Sequence, residues 1–210
     1  YSPLASFPNH SALLAALSAA LLAAALAFAL RTRPSRPLKW AVRAVSLGYA
    51  VPGAVIAVGI LIPLAWLQPR FPQAGASTLV TGTLFGVLYA YQVRFSSVAL
   101  QSLEAGYARI ALSVDESARM LGVSRGRMLI QLHVPLLRRA TLAALLLVFV
   151  DVMKELPATL VLRPFNSDTL AVIAYQLARD ERLGEAALPS LAIVLVGLVP
   201  VLLLSRAMRR

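Results

Sequence analysis

The 210-residue chain has no cysteine, which excludes a disulfide framework, a thiolate metal centre and a cysteine nucleophile. Acidic residues are scarce, with 9 Asp and Glu against 20 Lys and Arg. Charged residues of both signs make up only 14% of the chain, while 59% of it is hydrophobic and the mean hydropathy is +0.76. A soluble domain of this length rarely carries so few charges, and such a chain buries its apolar surface only in lipid. The two histidines, His10 and His133, stand alone and read as structural residues rather than metal ligands. No Gly-x-x-x-x-Gly-Lys-Ser/Thr loop occurs, so ATP hydrolysis is not expected of this chain.

What the chain does have is long apolar runs. A membrane-crossing helix needs roughly 20 mainly apolar residues. Candidate spans lie at 10–30, 45–67, 77–100, 140–156 and 188–204. Pro52, Gly53, Gly59 and Pro63 fall inside the second, and Pro69 and Pro72 break the chain after it. Such residues are tolerated in membrane helices when neighbours satisfy the freed backbone groups. The expected fold is therefore all-α, a polytopic membrane helical bundle of about five spans forming a single domain over 1–210.

The net charge of +11 is concentrated in short clusters. Arg31, Arg33, Arg36, Lys39 and Arg43 follow the first span. Arg109, Arg119, Arg125, Arg127, Arg138 and Arg139 lie after the third, and Arg206, Arg209 and Arg210 after the fifth. Basic segments stay in the cytoplasm, which sets the N-terminus outside and the C-terminus inside. This patterning describes membrane-flanking loops rather than a nucleic-acid groove. The first residue is Tyr1 rather than Met, and the chain is expected to be a piece of something longer.

The polar stretch 101–139 is expected in the cytoplasm. Ser113 and Glu116 have capping-box spacing, and Asp115 and Glu116 suit the positive end of a helix dipole. Gly122 fits a left-handed helix end. A second helix starts at Ser124 and is interrupted at Pro135. Composition by itself reads the stretch as a solvated connector, whereas its length and capping point to function.

Glu116-Ser117-Ala118, three residues, Gly122, nine residues, then Leu132-His133-Val134-Pro135 resembles the EAA loop of binding-protein-dependent ABC importer permeases. Ser117 stands where the family has Ala, a small-for-small change. The Asn9-His10-Ser11 entry to the first span is similar to the family's as well. The resemblance implies a MetI-like permease fold. The 101–139 loop would be its coupling loop, docking on an ATP-binding cassette subunit through Glu116, Ser117, Ala118 and Gly122, with Pro135 closing the motif. Arg119, Arg125 and Arg127 either touch that partner or face solvent. It further implies a second permease half or subunit, a periplasmic substrate-binding protein and location in the bacterial inner membrane. No cofactor is expected on this chain, with ATP and Mg at the partner subunit.

The run from Asp151 to Leu160, with Arg163-Pro164-Phe165 and Asp168-Thr169-Leu170-Ala171, is similar to permeases of ferric-iron importers. Thiamine, polyamine and phosphonate permeases are close relatives. Iron-type permeases often join two homologous halves, and a chain without an initial Met fits the C-terminal one. Asp151, Lys154 and Glu155 share a helix face by their spacing. They either line the translocation path or form a local ion pair at the outer end of the fourth span, and the ion pair is favoured. Arg94 is expected to snorkel to the interface. Tyr49, Tyr89 and Tyr91 read as packing residues. Two other classes compete. An intramembrane enzyme would need a facing nucleophile and base or paired aspartates, and Asp151 stands alone in its span. A secondary transporter would need several spans broken or charged near the midplane, and only the second is strongly broken.

Overall fold

The computed structural model describes residues 9–71, 75–81, 83–165 and 167–208. Pro72, Arg209 and Arg210, named above, lie outside the described residues, as does the side chain of His10. Every regular element among the described residues is helical.

Helix α1 (Asn9–Thr32) is an Ala/Leu run that ends just before Pro34, where the residue ahead of proline disfavours helical backbone. Its two faces differ in size rather than polarity. Ala12, Ala15, Ala16, Ala19 and Ala23 are buried, while Leu13, Leu14, Leu17 and Leu21 point outward. Small residues let backbones approach closely in lipid, where apolar side chains gain nothing by turning inward. The alanine face packs against α5 (Phe85–Tyr107) and α8 (Val134–Met153), and these three helices hold the core. Gln92 on α5 stitches the contact, donating to Ser18 Oγ of α1 and accepting from Ser96 Oγ at 2.9 Å.

The second expected span is not one helix. α2 (Arg36–Leu47) starts at Ser35, whose hydroxyl accepts from Leu38 N at 3.4 Å. A 3₁₀ turn (Gly48–Ala50) follows, and α3 (Gly53–Leu67) departs at 117°. Pro52 supplies no backbone donor, so the ladder stops there. The third span is likewise divided into α4 (Ala76–Thr81) and α5, with Thr83 Oγ1 accepting from Phe85 N at 3.1 Å between them. The fourth is α8, which bends into a short α9 (Pro157–Leu162). The 163–185 segment contains α10 (Leu170–Arg179), and the fifth span is α11 (Leu183–Met208), which packs on α8 and α10.

Among the described residues, Ser11–Thr32 is the single unbroken helix long and apolar enough to cross a membrane, and α2 with α3 qualifies only as a bent pair. The other expected spans lie in helices that are broken, shorter or carry more charge. α5 carries Gln92 and Arg94, and α8 carries Arg138, Arg139 and Asp151. Gln92 and Arg94 find partners inside the bundle, whereas Arg138 and Arg139 are exposed.

Candidate coupling site

The polar stretch forms two short helices at one end of the α1–α5–α8 core. α6 spans Leu112–Met120, and α7 (Arg125–Arg127) continues through a π-helical stretch (Met128–His133) into α8. Ser113 does not cap α6. The cap position is Ala111, and Ser113 is already helical. A tertiary contact fixes this start, because Arg31 Nη2 donates to the carbonyls of Ile110 at 2.9 Å and Ala111 at 3.0 Å.

The other end follows the sequence reading. Gly122 has φ +75°. Its N–H donates to Arg119 O at 2.9 Å, and Val123 N–H donates to Ala118 O at 3.0 Å. This pair of bonds is the Schellman motif, which needs a left-handed residue next to last. The spacing between Ala118 and Gly122 thus has a backbone cause. Ser124 then caps α7, accepting from Arg127 N at 3.5 Å.

Pro135 does not interrupt the helix. Val134 N–H bonds five residues back to Leu129 O, and Pro135 follows at the change from π to α bonding. A missing N–H is cheapest there, since the first turn of an α-helix needs no such donor.

Asp115 and Glu116 are neighbours in sequence and face opposite ways. Glu116 and Ser117 are exposed and Ala118 is half-buried. Met120 and Leu121 stand almost wholly in solvent, 89% and 82% exposed. Arg119, Arg125 and Arg127 are exposed as well. The sequence reading missed Met120 and Leu121; two consecutive apolar residues before the helix-ending glycine were the available signal. Large apolar side chains left bare at the tip of a polar element mark a contact surface.

Asp115 is buried. Its Oδ2 accepts from Arg31 Nε at 2.6 Å, and its Oδ1 accepts from His133 Nε2 at 3.0 Å. The other nitrogen of His133, Nδ1, meets the Tyr107 hydroxyl at 3.0 Å. Phe28 and Tyr107 set their rings edge-on to the imidazole, both at 5.3 Å between centroids. With Asp115 ionised, His133 Nε2–H donates to it while Nδ1 meets the Tyr107 hydroxyl, so both ring nitrogens have a partner. Burial pushes the Asp115 carboxyl up, but hydrogen bonds from Arg31 and His133 outweigh this and hold it below the usual carboxylate range. His133 is thus a fully buried member of this hydrogen-bond network.

The Asp151, Lys154, Glu155 group divides. Asp151 and Lys154 form the expected local ion pair at 2.8 Å. Glu155 turns away and is buried, 3.4 Å from Arg94 Nε and accepting from Ala158 N at 3.2 Å. The helix ends at Met153, so the shared face stops before Glu155. Arg94 does not snorkel: it donates to Val51 O at 2.9 Å across the α2–α3 break. Tyr91 is buried and its hydroxyl meets Thr159 Oγ1 at 2.6 Å. Among the described residues, no group of three or more His, Cys, Asp or Glu is placed to hold a metal ion.

The case against an intramembrane enzyme includes the expectation that no Gly-x-Ser-x-Gly elbow is present, but the run Gly122-Val123-Ser124-Arg125-Gly126 has that spacing. That motif needs a strand before the serine. Here α6 precedes it, and Ser124 Oγ is a helix cap.

The family described as binding-protein-dependent transport system inner membrane component matches residues 13–210. The chain belongs to that family. The family's members are integral inner-membrane transport permeases, so the all-helical bundle is a membrane fold. Two relatives from Salmonella are named as the 2-aminoethylphosphonate transport system permease PhnV. The one from S. typhimurium strain LT2 is 29% identical over 182 residues, covering 87% of this chain and 65% of the relative. The one from S. choleraesuis strain SC-B67 is 30% identical over 176 residues, covering 84% and 62%. The Fe(3+)-transport system permease protein FbpB 2 of Haemophilus influenzae is 29% identical over 167 residues, covering 80% of this chain and 31% of the relative. The chain thus spans somewhat under two thirds of the length of the phosphonate relatives and about a third of the iron relative.

Proposed function

We propose that the chain is a membrane-spanning half of an ATP-driven importer. It passes ferric iron from a periplasmic binding protein to the cytoplasm, with hydrolysis on a separate ATP-binding cassette subunit. The observation that carries this reading is α6. It exposes Glu116, Ser117, Met120 and Leu121 on one side and is anchored through buried Asp115 on the other. An element so built passes a push from outside the bundle into it. A second copy or a homologous half completes the pathway, and the N-terminus lies outside with the C-terminus in the cytoplasm. Iron is favoured by the Asp151–Leu160 run and by the iron relative. The phosphonate relatives favour a second reading, 2-aminoethylphosphonate as cargo.

Proteoliposomes holding the complete transporter test the reading, with ferric ion and 2-aminoethylphosphonate offered separately with their binding proteins. Glu116→Ala combined with Gly122→Pro leaves basal hydrolysis at the partner and abolishes uptake. Unchanged uptake removes the coupling role of this loop. Because the chain has no cysteine of its own, Ser117→Cys gives a single thiol, which cross-links to a cysteine in the ATPase groove if α6 docks there.

A further inference from the structure

The coupling reading concerns the outward side of α6; a separate set of observations concerns its inward side. Asp115 joins four elements through side chains alone: α6 itself, α1 through Arg31, the π-helical stretch through His133, and α5 through His133 and Tyr107. Arg31 also holds the carbonyls that open α6, and its guanidinium lies 5.7 Å from the Tyr107 ring centroid. His133 is fully buried and the Asp115 side chain is 4% exposed. A buried network with every member satisfied is rigid, and removal of one member leaves the others unpaired. π-helical stretches are strained departures that cluster at functional sites, and this one ends at the histidine of the network.

We propose that Asp115 is the positioning residue of energy coupling. It locks the ATPase-facing helix to α1, α5 and the start of α8, so that a displacement of α6 moves the three core helices together. This rests on the importer reading above. Glu116 meets the partner, and Asp115 transmits what Glu116 receives. The Arg31–Asp115–His133–Tyr107 chain is contiguous, with no apolar gap across which motion could be lost.

The test is the number of ATP molecules hydrolysed per substrate imported, in proteoliposomes of the assembled transporter, with ferric ion and 2-aminoethylphosphonate as the two probes. Asp115→Asn and His133→Leu raise that ratio by about tenfold or more, with hydrolysis retained. His133→Gln, whose amide can still donate to Asp115, keeps the ratio close to the parent's. Tyr107→Phe removes only the last hydroxyl and raises the ratio less than Asp115→Asn, so the proposal stays open to refutation even if the stronger variants assemble poorly. An unchanged ratio in Asp115→Asn or Tyr107→Phe, or equal ratios in the leucine and glutamine variants, overturns the proposal while the importer reading stands. Absence of ATP-dependent uptake of both probes by the parent overturns the importer reading itself.

Discussion

Arg94 on α5 donates to the carbonyl of Val51 at 2.9 Å and stands 3.4 Å from the carboxylate of Glu155. One guanidinium therefore spans two breaks in the bundle: the bend between α2 and α3, and the gap between α8 and α9. A carbonyl released by a helix break in lipid must find another donor, and a buried carboxylate must find a cation. Glycines let the parts meet. A side chain at Gly48 would strike the Val93 carbonyl, and one at Gly53 would strike the Glu155 carboxylate.

Arg94→Met removes both services and strands Glu155. The expected loss is about 3–5 kcal/mol, read as a fall in thermal midpoint in detergent. Adding Glu155→Gln recovers part of it. If the double variant is no more stable than the single one, the two residues are not a pair.

On α1, burial follows size, so two substitutions of similar chemistry should diverge. Ala16→Leu forces extra methyl groups between α1 and its neighbours, at a cost of about 1–3 kcal/mol. Leu21→Ala, on the outward face at 70% exposure, should leave the thermal midpoint nearly unchanged. The amount of folded protein extracted from membranes gives a second reading of the same contrast.

Gly122→Ala retains the sequence motif's small residue but not its backbone freedom. A left-handed conformation costs an L-residue about 1–2 kcal/mol, although the space beside Gly122 is open. Fraying at the end of α6 follows, seen as faster proteolysis between α6 and α7 and as reduced cross-linking from Ser117→Cys.

The lowered pKa of Asp115 gives a pH dependence of definite sign. Its folded-state pKa lies below the ordinary 3.8, so it stabilises the fold at pH values above 3.8 and the contribution fades as the pH falls through the folded value. Thermal midpoints taken from about pH 6 down to about pH 3 should drop less steeply for Asp115→Asn than for the parent. Equal slopes would show that the carboxylate is not held in its charged form by Arg31 and His133.

The membrane class, the span regions and the Gly122 turn were legible because each has a local cause: run length, basic flanks, a left-handed residue. What escaped depends on contacts far along the chain. Arg31 decides where α6 begins, and 79 residues separate it from Ile110. Asp115 and Glu116 look alike in sequence, yet only the placing of Arg31 and His133 beside α6 determines which is buried. Pro52 announced a break but not its 117° angle, which the α5 surface and Arg94 hold. The end of α10 repeats the Schellman bonds of α6, with Glu181 at φ 59° and no glycine to signal it.

The π-helical stretch Met128–His133 carries one more residue than α geometry would use over the same rise. A deletion of one residue between Met128 and Gln131 would let that stretch close into ordinary α-helix, with the residues on either side keeping their bearings. The same deletion inside α8 would turn everything beyond it by about 100°. The segment that joins the coupling elements to the core thus carries a spare residue, and the nine-residue spacing from Gly122 to Leu132 is what keeps it there.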